Sequence, residues 1–240
     1  MLAALFKPRP HRLLQALISG GAAAGPLHAL QIGANDGVFV DPLHPLLLRH
    51  RSLCATRVEP VPAYFQRLQR HCATAALAGR VRCIEAAVCG HDGTVAMVLP
   101  DPATALGSYR QGIARLQGVD APETAPHQGW HTITVPALTP AALLEQALAP
   151  RVDVYLSDCE GYDIELACLM PFARMQTRLV YLEVQAATQP SALRGEQLGR
   201  LWGLLGGQGF NQVVWDGFNL IAWKGPPAAG SRRPALIPAA

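Results

Sequence analysis

Three carboxylates stand where apolar runs stop. Glu59 closes the run Ser52 to Val58, Asp158 closes Val152 to Ser157, and Glu183 lies near the end of Leu179 to Val184. A carboxylate can accept hydrogen bonds from hydroxyl groups or take a proton as a general base. A fourth run, Leu27 to Ile32, ends instead in a glycine turn, Gly33-Ala34-Asn35-Asp36-Gly37. Gly33 and Gly37 allow unusual φ values and leave room for a ligand against the main chain. The turn's amides and the helix start beyond it favour a carboxylate or phosphate. The spacing is G-x-x-x-G, not the G-x-G-x-x-G of dinucleotide sites.

Those residues form one site only if the runs are parallel strands of one sheet, with their carboxyl ends at a common edge. The rest of the chain supplies that frame. Pro10 to Ser19 reads as an amphipathic helix covering one edge of the sheet. Asp41-Pro42-Leu43 opens a short helix, with Asp41 as N-cap and Pro42 at its first position. Pro60 ends the second strand, and a helix from Pro62 to Cys72 follows with Tyr64, Phe65, Leu68 and Cys72 at helical spacing. Val81 to Val88 is the third strand, His91-Asp92-Gly93 signals a hairpin, and Thr94 to Leu99 returns as an added strand. His131 to Val135 alternates like a strand, and Thr139 caps a helix ending near Leu148. A helix from Asp163 to Leu169 ends at Pro171, Glu196 to Leu205 is helical, and Phe210 to Trp215 with Leu220 to Trp223 forms a hairpin around Asp216-Gly217. Asp163 suits the helix dipole, and Trp215, Phe218 and Trp223 suit hairpin and core packing. Strands alternating with helices predict an α/β three-layer sandwich, a mostly parallel sheet with a C-terminal antiparallel hairpin.

The stretch from Pro100 to Trp130, rich in Gly, Pro, Ala and Gln, has no period and reads as a lid over the ligand or a disordered insert. Ser108, Tyr109 and Arg110 within it could touch a ligand. The tail from Gly225 reads as disordered. The organisation expected is a helical extension over residues 1–26, one α/β domain over 27–224 and a tail over 225–240.

Composition excludes some classes of function. The 240 residues are half hydrophobic, enough for one full core. A net charge of +3 with no block of like charges gives no nucleic-acid surface. The six cysteines form no C-x-x-C pair and lie apart from histidines at zinc spacing, so they read as reduced thiols of a cytoplasmic protein. Lys7, Arg9 and Arg12 before Leu13 to Ile18 imitate a secretory signal, but cleavage near Ala24 would leave the first strand at the new terminus. No run approaches the roughly 18 apolar residues of a membrane span.

Gln31-Ile32-Gly33-Ala34-Asn35-Asp36-Gly37, Val58-Glu59-Pro60 with Phe65 and Leu68 behind it, Ala86-Ala87-Val88 before Asp92-Gly93, and Ser157-Asp158-Cys159-Glu160-Gly161-Tyr162-Asp163 together resemble the FkbM family of S-adenosylmethionine-dependent methyltransferases. The resemblance runs from about Leu27 to Trp223. It implies a class I methyltransferase (Rossmann-like) fold with S-adenosylmethionine at the open edge. By position, Gly33, Ala34, Asn35 and Gly37 would line the methionine part of the cofactor, Glu59 would hold the ribose hydroxyls, and Glu85 and Ala86 would lie near the adenine. Asp158 would lie near the sulfonium or the acceptor hydroxyl, with Glu160 beside it. Gln31 stands where the family often has an acid, which weakens a link to the cofactor's amino group. Cys159 and Ser157 depart from the family's Asp-Val-Glu-Gly pattern.

The implied chemistry is in-line transfer of a methyl group to a hydroxyl of a sugar, glycan or secondary metabolite, aligned by the protein and assisted by a base. Asp158 and Glu160 are the candidate bases, with His131 third; His131 also suits an ordinary strand end. Two acids this close could hold a divalent metal, which is not the favoured reading. Two other readings stay open: an NAD-type oxidoreductase using the same crevice, and a methyltransferase-like domain that binds a partner without catalysis.

Overall fold

The computed structural model describes residues 10–101, 113–117, 129–147, 151–184 and 191–225. The candidate lid residues Ser108, Tyr109 and Arg110, and the tail from residue 226, lie outside them.

The chain begins with α1 (Pro10–Ala24), β1 (Leu27–Ile32), α2 (His44–Arg49), β2 (Leu53–Val58), α3 (Pro62–Cys72) and β3 (Val81–Ile84). Then come β4 (Ala87–Val88), β5 (Gly93–Pro100), β6 (Arg115–Leu116), β7 (Trp130–Leu138) and α4 (Pro140–Gln146). The last part holds β8 (Val154–Ser157), α5 (Asp163–Leu169), α6 (Phe172–Met175), β9 (Leu179–Glu183), α7 (Ser191–Gly207), β10 (Gln212–Trp215) and β11 (Asn219–Trp223).

Seven strands form the main sheet in the order β10-β11-β9-β8-β1-β2-β3. All the pairings from β9 to β3 are parallel, and β11 runs antiparallel to both its neighbours. A parallel sheet with its antiparallel strand inserted next to last is the class I methyltransferase, Rossmann-like arrangement that the family resemblance implied, within the α/β sandwich that the alternation of strands and helices predicted. The chain moves outward from β1 through β2 and β3, then returns to the other side of β1 as β8. The order therefore reverses between β1 and β8, which is where an open α/β sheet leaves a crevice.

The strands are apolar on both faces because both are covered. Alternate residues divide cleanly between two layers. Ala29, Val154, Leu156, Leu179, Tyr181 and Ile221 pack with Leu14 and Ile18 of α1 and with Leu46 and Leu47 of α2. Leu30, Tyr155, Val180, Leu182, Leu220 and Ala222 pack with Leu166 of α5, Phe172 of α6 and Leu201 and Leu205 of α7. Thus α1 covers a face of the sheet rather than the edge expected, because its Leu14 and Ile18 repeat at the spacing of one helix side. The start of α2 is later than expected: the helix begins at His44 with Leu43 at the cap position, so Pro42 precedes it. Asp41 Oδ1 still accepts from the N–H groups of Leu43 and His44, both at 2.7 Å, from just outside the helix. Thr139 Oγ1 accepts from Ala142 N–H at 3.2 Å at the start of α4.

One strand assignment is corrected. Val81 to Val88 is not one strand: the main-sheet ladder ends at Ile84, and Ala87–Val88 joins a second sheet of order β4-β7-β5-β6. Nor does β5 fold back on β4. It pairs antiparallel with β7 from Gly93↔Ala137 to Pro100↔Trp130. The His91-Asp92-Gly93 turn gives only a reversal, while the long β7 offers eight paired positions, and Met97, Val135 and Ala87 bury a small core of their own. This second sheet brings Ala87, Val88, Met97 and Leu116 to the crevice.

Candidate functional site

The crevice forms where β1 and β8 end side by side. Gly33 turns at φ +76°, and a Cβ built on it would stand 1.8 Å from the carbonyl oxygen of Asp158. Its glycine is thus required by contact between the two strand ends as much as by the turn. Gly37 has the same φ, but a Cβ there would meet Leu68 Cδ1 at 2.4 Å and Arg57 Nη1 at 2.7 Å. A side chain there would face protein, so a local space requirement accounts for this glycine, and Gly37 lines neither cavity.

Glu59 sits at the crevice floor, 4% exposed. Its Oε2 accepts from Asn35 N–H at 2.8 Å and its Oε1 from Val61 N–H at 2.9 Å. It therefore ties the glycine turn to the start of α3. Burial pushes this carboxyl up to about 7 against the pull of those two N–H bonds. Each carboxylate oxygen accepts more than one hydrogen bond, so both remain competent to accept from hydroxyl donors. Gly33, Asn35, Glu59, Pro60, Ala86, Val88, Cys159 and Tyr162 all line this narrow crevice. Burial holds the Cys159 thiol well above its ordinary range, so it is a neutral wall. Glu85, one residue before Ala86, is exposed and does not line the crevice; the chain leaves the sheet at Ile84 and turns Ala86 inward in its place.

Asp158 and Glu160 line both this crevice and a second, wider cavity of about 560 Å³ beside it. The turn that carries them is fixed from below. The buried Asp163 accepts from Ser157 Oγ at 2.5 Å and from Cys159 N–H at 3.0 Å, and burial pushes its carboxyl up to about 7. Asp163 is thus a clasp for the turn, beyond the helix-dipole role expected. Glu160 stands at φ +52°, a conformation uncommon outside glycine. Asp158 is exposed as a residue, yet the protein around its carboxyl group, then a hydrogen bond with Glu183, raises that carboxyl well above its ordinary range. Ser157 pairs with Leu182, which places the two acids at adjacent strand ends. The Glu183 carboxylate therefore disfavours ionisation of Asp158.

His131 is not in the site. It lies at the start of β7, paired with Leu99, and its Nδ1 is 2.9 Å from Asp101 Oδ1 on the half-exposed rim of the second sheet. As the strand pairing moved to β5–β7, this histidine moved with it.

Gln31 is buried and reaches the wide cavity as part of a polar cluster. It accepts from Arg57 Nε at 2.9 Å and donates to Asp41 Oδ2 at 2.9 Å. Arg57, fully buried, pairs with Asp41 and donates to the Gly37 carbonyl at 3.0 Å. The clue to this hub was an arginine inside the apolar run Leu53 to Val58, in register with Gln31, since a buried guanidinium needs partners. Glu183, Tyr181, Phe39, Val40, Phe218 and Asn219 also line the wide cavity. Phe218, expected to pack the hairpin, is 58% exposed at its mouth.

The residues present fit an S-adenosyl group by the chemistry of their donors. Glu59 offers a hydroxyl acceptor, Ala86, Val88 and Met97 an apolar slot, and the acids at Asp158 a home for positive charge. Among the described residues no group of three or more His, Cys, Asp or Glu side chains could hold a metal ion. No helix among them is long and apolar enough to cross a membrane.

No family model and no curated protein matches the sequence. The fold resembles those of several solved proteins, methyltransferases among them. The METTL16 methyltransferase domain aligns at a TM-score of 0.46 and 11% identity over 88% of this chain, which spans 65% of that domain's length. Magnesium protoporphyrin IX methyltransferase from Synechocystis PCC 6803, solved with S-adenosylmethionine, aligns at 0.45 and 12% identity, covering 90% of this chain and 78% of that one. The Methanococcus jannaschii fibrillarin pre-rRNA processing protein aligns at 0.42 and 12% identity, covering 84% and 68%. At these values the likeness fixes neither a family nor an activity.

Proposed function

We propose that the chain is an S-adenosylmethionine-dependent O-methyltransferase of the FkbM kind, acting on a hydroxyl of a sugar, glycan or secondary metabolite. The catalytic unit is residues 27–224, with residues 1–26 as a helical extension and 225–240 as a tail, and its cysteines favour the cytoplasm. The observation that carries this reading is the shared boundary of the two cavities: Gly33, Asn35, Asp158 and Glu160 line both. A cofactor in the narrow crevice would thus present its reactive end to whatever fills the wide one.

In this reading Glu59 accepts the ribose hydroxyls, Ala86 and Val88 flank the adenine, and Gly33, Ala34 and Asn35 border the methionine part. The cofactor, when bound, supplies a methyl group on a positively charged sulfur. Positive charge beside Asp158 favours its ionised form. Asp158 then has the basicity to take the acceptor's hydroxyl proton as the new O–C bond forms and the S–C bond breaks. Alignment of acceptor and methyl carbon supplies most of the rate. The test is calorimetric titration with S-adenosylhomocysteine, on the native chain and on Glu59→Ala. Micromolar binding lost in the variant is expected, and no binding by the native chain overturns the reading.

A further inference from the structure

The wide cavity is lined by both polar groups and exposed apolar side chains. Asp158, Glu183, Asn35 and Asn219 supply polar groups at or beside the strand ends. At the mouth stand Phe39 at 72% exposure, Val40 at 83% and Phe218 at 58%. These are the three most exposed large apolar side chains among the described residues, and all three border this one cavity. Scattered single exposures need no explanation, but three around one opening do. They come from two separate elements, the β1–α2 loop and the β10–β11 turn.

The loop is held in that posture against its own preference. Val40 has φ +52°, a strained position for a β-branched residue. The Asp36 carboxylate accepts from Val38 N–H at 2.9 Å and Phe39 N–H at 2.8 Å, and the Arg57–Asp41 pair fixes the far end. Charge limits the occupant further. No lysine or arginine lines the cavity among the described residues, whereas Asp158, Glu160 and Glu183 do. Asp41 adds a fourth acid, and His11 is the one basic side chain among the described lining residues, so a phosphate- or carboxylate-bearing acceptor would meet mostly repulsion.

We propose that the wide cavity takes an uncharged amphiphilic acceptor, its hydroxyl set beside Asp158 and Glu183 and an alkyl or aromatic portion against Phe39 and Phe218. This rests on the methyltransferase reading, and it selects among hydroxyl acceptors those with an apolar portion next to the reacting group. Each methylene fully buried there strengthens binding about fourfold.

The test uses the full chain saturated with S-adenosylhomocysteine and three probes below their micelle concentrations: methyl glucoside, octyl glucoside and octyl glucuronide. Octyl glucoside is expected to bind at least tenfold more tightly than methyl glucoside, and octyl glucuronide at least tenfold more weakly than octyl glucoside. The double variant Phe39→Ala/Phe218→Ala is expected to lose the octyl advantage while keeping its affinity for S-adenosylhomocysteine. Equal binding of the two glucosides, equal binding of the glucuronide, an unchanged octyl advantage in the variant, or no glycoside binding each overturns the proposal. Failure to bind S-adenosylhomocysteine sinks instead the reading beneath it, so the two failures are separate.

Discussion

Gly33 and the carbonyl of Asp158 are packed so closely that a methyl group at residue 33 would lie 1.8 Å from that oxygen. The contact joins the two strand ends between which the sheet order reverses. Gly33→Ala is therefore expected to destabilise the protein by about 3 kcal/mol or more, from the left-handed backbone and the forced displacement together. Urea unfolding measures this. A variant within 1 kcal/mol of the native chain would show that the strand ends separate easily.

Glu59 couples cofactor binding to pH. Its carboxyl titrates near 7 because it is buried, and hydroxyl donors favour its ionised form. Affinity for S-adenosylhomocysteine should hold above pH 7 and fall as pH drops below it, approaching tenfold per unit. Calorimetry in buffers of different ionisation heat should show proton release near pH 7. In Glu59→Gln the pH dependence should vanish along with most of the affinity.

The same carboxyl affects stability with the opposite trend. Its folded value lies above the unfolded one, so the folded chain holds a proton through the window from about 4.5 to 7. Stability is then greatest below the unfolded value and declines as pH rises toward 7, by about 3 kcal/mol in full. Thermal melts of the native chain against Glu59→Gln isolate this group. The difference should shift in the native chain's favour as pH falls from 8 to 5.5, and a constant difference would contradict the buried, raised carboxyl.

Removing Glu183 should move the activity profile. Its hydrogen bond and charge hold the Asp158 carboxyl up, so Glu183→Gln lets Asp158 ionise at lower pH. The rising limb of kcat against pH should shift toward acid, with a lower plateau because the base is weaker. His131→Ala, by contrast, should leave that profile in place, since His131 lies on the rim of the other sheet. A lost limb in the histidine variant would restore it as the base.

Arg57→Met should cost about 3–5 kcal/mol, because it leaves Asp41 buried without its partner. Arg57→Met with Asp41→Leu should recover part of that loss, though not the cap on α2 that Asp41 also supplies. A double variant no better than the single would mean that the cap outweighs the ion pair.

The sheet was legible in the sequence because apolar runs that end at glycine or proline mark buried parallel strands without any tertiary information. Pro62 to Cys72 and Asp163 to Leu169 were readable for the same reason, since their helical signals are local. The second sheet was not, because partner choice among β4, β5 and β7 depends on the length of ladder available, and no local turn encodes it. Within the site, Gly33, Asn35, Glu59 and Asp158 were found because backbone turns and strand ends leave fixed marks. Glu183 was legible as a strand-end acid, though not its hydrogen bond with Asp158; Arg57 acts through neighbours on other strands, and Phe39 and Phe218 border one cavity only because two distant loops reach it. Glu85 and Ala86 were read alike, though a single turn after Ile84 separates them.

The buried Arg57 grips the β1–α2 loop at both Gly37 and Asp41, so only Val38, Phe39 and Val40 project beyond its hold. Three side chains can then vary while the fold and the crevice stay as they are. A lineage could exchange one acceptor for another by changes at this tip alone, and a directed library confined to those three positions would explore new acceptors without loss of foldable variants.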